Sequence, residues 1–124
     1  MSGTGLDELQ DRVRSTRRRH HLQVTATVAL LDTCAEVGEL AGAFLKDTGY
    51  HPHRPVAAAG ASDRAVPDTV RTEFGDVLFA LLSFADAVGL SARSELAATL
   101  DRYEARFAGR RALGDRPEGG GRHG

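Results

Sequence analysis

Glu36–Leu40 reads EVGEL, and Glu73–Val77 reads EFGDV: acid, apolar, glycine, acid, apolar, written twice in one short chain. Around the first lies AEVGELAGAFLK, Ala35–Lys46, and around the second EFGDVLFALLSFADAV, Glu73–Val88. How these two words are read decides the fold. If they lie on helices, each pair of acids, three positions apart, shares one face about one turn apart.

The surrounding periodicity favours helices. From Leu22 to Lys46 apolar residues recur at Leu22, Val24, Val28, Leu31, Val37, Leu40 and Phe44, largely in steps of three and four. The second word belongs to a run through Val70, Phe74, Val77, Leu78, Leu81, Phe84 and Val88 that stops at Gly89. Pro67 suits the first position of that helix, and Asp68 suits its positive end. Ser91 can cap a further helix with Leu96, Leu100, Tyr103 and Phe107 on one face. Ahead of all these, LDELQDRVRSTRRRHH reads as a mostly polar first helix. No segment alternates with period two, so the spacing predicts an all-α helical bundle.

Bulk composition narrows the class. The chain has 124 residues, 41% hydrophobic and 27% charged, as one globular domain would. A net charge of −1 gives no general attraction to nucleic acid or acidic membranes. The single cysteine, Cys34, excludes an internal disulfide and reads as a small core residue. No apolar run approaches the roughly 18 residues of a membrane span. The N-terminus has no basic region leading into an apolar core, so a cytoplasmic protein is expected. The domain is expected over 1–110, with a disordered glycine- and arginine-rich tail over 111–124. Between the two central helices, Asp47–Pro67 holds three of the four prolines and reads as a flap or an insertion.

Two acids three apart on a helix commonly form a solvated face. Here each pair sits among apolar residues, has few basic partners near it in its helix and carries a mid-helix glycine, Gly38 or Gly75, that costs about 1 kcal/mol relative to alanine. The glycines imply either close approach of helices or space beside a ligand. Four carboxylates meeting between helices would be costly to bury. A divalent cation relieves that cost, and an oxygen-only ligand set selects a hard ion, Mg²⁺ with Mn²⁺ as the alternative. Glu36, Glu39, Glu73 and Asp76 are therefore the candidate metal ligands and catalytic residues. Di-iron bundles place histidine at the third position after glutamate, and this chain has Glu39 and Asp76 there.

These residues carry a resemblance. AEVGELAGAFLK, EFGDVLFALLSFADAVGLS and LDRYEARF resemble the MazG-type, all-α nucleoside triphosphate pyrophosphohydrolases, over about Leu22–Phe107. The family's Glu-x-x-Glu and Glu-x-x-Asp pairs match Glu36, Glu39, Glu73 and Asp76. The resemblance implies a bundle assembled as a homodimer or homotetramer. It also implies Mg²⁺-dependent cleavage of a nucleoside triphosphate between the α- and β-phosphates, a house-cleaning activity on the nucleotide pool. Lys46 matches a basic position after the first pair, and Arg102 and Arg106 match basic positions near the end; all three are candidate substrate-binding residues. The chain departs from the family at Ala35, where a further glutamate is common, and at Leu100, where asparagine is common. A phosphoribosyl-ATP pyrophosphohydrolase or a non-catalytic nucleotide-binding module on the same bundle are the alternatives.

The remaining polar motifs have plainer readings. HPHRP, with His51 and His53, reads as an exposed loop, and His20, His21 and His123 form no metal pattern. RSTRRRHH reads as a solvated helix end, with triphosphate or nucleic-acid contact as the alternative. Tyr103 and Phe107 read as packing residues.

Overall fold

A computed structural model describes residues 5–49 and 66–114. Among them are four α-helices and no strand: α1 (Leu6–Arg19), α2 (Ala26–Asp47), α3 (Asp68–Val88) and α4 (Ala92–Gly114). The all-α expectation holds. Most of the segment between α2 and α3, with His51 and His53, lies outside the described residues, as does His123.

Helix α1 has Asp7 and Glu8 in its first turn and Arg17, Arg18 and Arg19 in its last, both matched to the helix dipole. Helix α2 begins four residues later than the apolar pattern suggests. Thr25 caps it, its hydroxyl accepting from the Val28 N–H at 3.2 Å. The preceding turn is held by the Leu22 N–H donating to the Arg17 carbonyl at 2.8 Å, and His21 takes a left-handed conformation with φ 53°. Leu22 and Val24 thus belong to a connection, not to the helix.

Pro67 stands one position before α3, as its N-cap and not as its first helical residue. Its carbonyl accepts from the Arg71 N–H at 3.1 Å. At the other end Gly89 is left-handed, with φ 76°. The Gly89 N–H donates to the Asp86 carbonyl and the Leu90 N–H to that of Ala85, a Schellman closure that explains the stop read at this glycine.

The chain divides into two units, Met1–Ala92 and Arg93–Gly124. In the first, α3 packs along α2 and against α1. The interior is made of small side chains: Ala29, Val70, Ala80 and Ala85 are the buried apolar residues, and no large side chain is fully enclosed. Much of the apolar periodicity that announces the helices stays uncovered, with Leu31 64% and Phe74 56% exposed. Cys34 is exposed as well, against the core position expected for it. The reason is that the extensive helix contact of α2 within this unit is with α3, which covers one side of it.

The second unit is α4. It continues to Gly114, beyond the boundary expected at residue 110, and residues 115–124 of the expected tail lie outside the described part. Its aromatic residues carry cations: the Arg106 guanidinium lies 5.6 Å from the Tyr103 ring centre, and that of Arg110 lies 6.0 Å from Phe107. Tyr103 and Phe107 are themselves about half exposed, where packing residues were expected.

Candidate metal centre

The packing of α2 along α3 brings the two acidic words together. Glu36, Glu73 and Asp76 each offer a carboxylate oxygen within 4.8 Å of the others. Helical spacing does this: Glu73 and Asp76 are one turn apart on α3, and Glu36 faces them from α2. The set draws on both helices, so it forms only when they dock.

Its electrostatics are unfavourable without a cation. Glu36 Oε2 and Glu73 Oε2 are cut off from solvent and have no hydrogen-bond partner. Both carboxyls are pushed above their usual range, first by lost hydration and then by the neighbouring acids, Glu39 foremost among them. Glu39 stands outside the tight group of three but is the strongest charged influence on both glutamates. Arg14 and Arg17 form ion pairs with Asp11 and Asp86, and none of these involves the four acids.

Two clefts meet this cluster. One, of about 580 Å³, is lined by Glu39 and Glu73 with Lys46, Asp47, Gly42 and Thr69. It brings Lys46, the candidate phosphate ligand, beside two of the four acids. The other, of about 570 Å³, is lined by Glu36 and Asp76 with Asp32, Phe79, Arg17 and His21 among others. Gly38 and Gly75 have nothing within 4 Å of where a Cβ would stand. Of the two explanations for these glycines, close helix approach is not found among the described residues, and open space is.

The basic run of α1 works differently from its sequence reading as a solvated end. Arg17 is buried and donates to the Ser83 carbonyl at 3.2 Å and the Val24 carbonyl at 3.3 Å. Its guanidinium is also 3.5 Å from Asp86 Oδ2. Arg14 donates through Nε to Asp86 Oδ1, and this pairing raises the guanidinium pKa further. Gln10, also buried, donates to the Leu90 carbonyl at 2.7 Å while its Oε1 accepts from the Ala92 N–H at 2.9 Å. Arg17 is thereby committed to the fold, while Arg18, Arg19, His20 and His21 are exposed as expected.

Arg102 and Arg106 belong to α4, where Arg102 donates to Thr99 Oγ1 at 2.8 Å and Arg106 covers Tyr103. Asp32, His21 and Arg17 were missed as residues around the cluster. Asp32 had a signal in its spacing, four positions before Glu36 on the same helix face. His21 and Arg17 reach the cleft through the α1–α2 turn, which leaves no periodic trace.

The donor set fits a hard divalent ion: oxygen ligands only, two of them desolvated and unpartnered, with like charges that a cation would reconcile. No single described helix is long and apolar enough to cross a membrane. No protein-family model, no curated protein and no solved structure matches the chain.

Proposed function

We propose that the chain is a Mg²⁺-dependent nucleoside triphosphate pyrophosphohydrolase on a MazG-like bundle. The observation that carries this reading is the meeting of Glu36, Glu73 and Asp76 within 4.8 Å, with two desolvated, unpartnered oxygens among them. Such an arrangement is costly in an apoprotein and useful in a metal-dependent hydrolase, where acids that do not saturate the ion leave room for phosphate.

Glu36, Glu73 and Asp76 would hold the ion, which supplies Lewis acidity and neutralises charge on the transferring phosphoryl group. Lys46, in the cleft shared with Glu39 and Glu73, binds the phosphate chain. Glu39, adjacent to the cluster but outside its tightest part, takes the proton of the attacking water. A P–O bond forms to the water oxygen, the α–β bridging P–O bond breaks, and pyrophosphate leaves.

Assembly as a homodimer or homotetramer belongs to the same proposal. With four buried apolar residues among the described residues, and Leu31 and Phe74 more than half exposed, the chain gains a core by covering those faces with another copy.

A panel of nucleoside triphosphates, with phosphoribosyl-ATP included, tests the reading through Mg²⁺-dependent pyrophosphate release. Release by the native chain, lost in Glu39→Gln and Asp76→Asn, is expected. Full activity in either variant would refute the site. Ala35 and Leu100, where the chain departs from the family pattern, favour the second reading, a non-catalytic nucleotide module. That module would show thermal stabilisation by nucleotide with no turnover.

A further inference from the structure

The two clefts that meet the carboxylate cluster are of similar volume but differ in where their cation and apolar residues lie. The cleft with Lys46 has a cation for phosphate. The cleft on the other side of Glu36 and Asp76 has apolar walls from Leu22, Val24, Ala29, Phe79 and Ala80. At about 570 Å³ it lies within the usual range for a small-molecule pocket and is ample for a base and its sugar. Its one buried cation, Arg17, is held by Ser83, Val24 and Asp86.

Asp32 is a polar group of this cleft that neither the fold nor the metal cluster uses. Asp32 lies one turn before Glu36 on α2 and lines the cleft, but is not among the three acids that converge. It enters none of the ion pairs of the described residues. An ionised carboxylate offers acceptors only, two oxygens side by side. Beside the apolar wall of Leu22, Val24, Ala29, Phe79 and Ala80, and apart from Arg17, which the fold uses, and Glu36 and Asp76, which belong to the metal cluster, it selects a ligand edge with donors.

On the pyrophosphohydrolase reading, on which this rests, we propose that the cleft of Asp32 and Phe79 receives the nucleotide base and that Asp32 selects bases with an amino edge, guanine foremost. Guanine presents its N1–H and N2–H₂ donors next to each other, matching the two oxygens of one carboxylate. Adenine and cytosine present one amino group beside a ring acceptor. Uracil and thymine present a single N–H flanked on both sides by carbonyl oxygens, which a carboxylate repels. Phe79, 37% exposed, supplies an apolar face for the base. The triphosphate then runs past the acids to Lys46.

The test compares kcat/KM for GTP, ATP, CTP and UTP in the native chain and in Asp32→Asn. Asp32 is an exposed helix residue, so the variant is expected to keep its fold, which circular dichroism checks. The native chain should prefer GTP over UTP, and Asp32→Asn should lower that ratio by on the order of tenfold, the worth of a paired base contact. Unaltered selectivity in the variant would overturn the assignment. So would an equal fall for every nucleotide with a raised Mg²⁺ requirement, because Asp32 would then serve the metal. Equal turnover of all four bases by the native chain would sink the base selection but leave the hydrolase standing. Absence of turnover with every nucleotide would sink the hydrolase reading instead. In that case thermal shifts with guanosine and uridine, without metal, still read the pocket: a shift with guanosine that Asp32→Asn removes supports it, and no shift with either overturns it.

Discussion

Two of the aspartates on helix α3, Asp76 and Asp86, stand ten residues apart and meet opposite fates. Asp86 faces α1, where Arg14 and Arg17 take both of its oxygens. Asp76 faces Glu36 of α2 and has Glu73 one turn before it on its own helix. Both contacts place charge between helices. At the α1–α3 contact opposite charges satisfy each other and fasten the fold. At the α2–α3 contact like charges converge, two carboxylate oxygens stay unpartnered, and no ion pair relieves them, which leaves proton uptake or a bound cation to do so. Burial alone therefore does not separate a structural charge from a functional one. Whether the counter-charge comes from the chain or must come from a ligand does.

The sharpest way to break this contrast is to disable the unpaired side. Glu39→Gln or Asp76→Asn should cut Mg²⁺-dependent pyrophosphate release by roughly 10³-fold or more, equivalent to about 4 kcal/mol of barrier, while urea midpoints stay near native. A large fall in stability with activity preserved would reverse the roles assigned to the two contacts. The paired side should respond in the opposite sense. Arg17→Ala leaves Asp86 short of a partner and removes donors from two carbonyls, a loss of about 3 kcal/mol expected in urea denaturation. Gln10→Ala, which frees the Leu90 carbonyl and the Ala92 N–H, should cost about 1–3 kcal/mol by the same measurement.

The pH dependence separates the contacts again. Glu36 and Glu73 have folded pKa values raised above those of the unfolded chain. Their contribution is therefore fully present below the ordinary glutamate range and is lost as pH rises through the raised values. Metal-free protein should lose thermal stability across that window as they ionise. Glu36→Gln should flatten the loss, and Mg²⁺ should offset it in the native chain. A metal-free melting curve with no such decline in the native chain would remove the electrostatic argument for the centre. The smallest effect concerns the open space. Gly38→Ala meets no atom within 4 Å and should stabilise α2 by roughly 0.5–1 kcal/mol. A stabilised chain that no longer self-associates would show that a second copy uses that space.

Much of this was legible from residue order alone, and the reasons are local. Period-three and period-four spacing marks α2 and α3 because a helix repeats its faces regardless of what covers them. Gly89 marks the end of α3 because a left-handed residue is needed there. Glu73 and Asp76 share a face by geometry. Beyond one helix the inference weakened. The start of α2 was misjudged because the apolar Leu22 and Val24 sit in the turn before it, where a backbone bond from Leu22 to Arg17 replaces the helical one. Cys34 and much of the apolar spacing suggested a core that the described residues do not close. Arg17 looked like solvated charge because its partners, Ser83 and Asp86, are some seventy positions away.

Residue order, then, settled the helical class, the end of α3 and which acids can stand side by side, since each depends on turns only a few residues long. Docking of the helices decided which charges found partners. That selection set Asp86 apart from Asp76, buried Arg17 and gave Asp32 a cleft, because Coulomb forces and desolvation depend on distances in space that the order of residues along the chain does not encode.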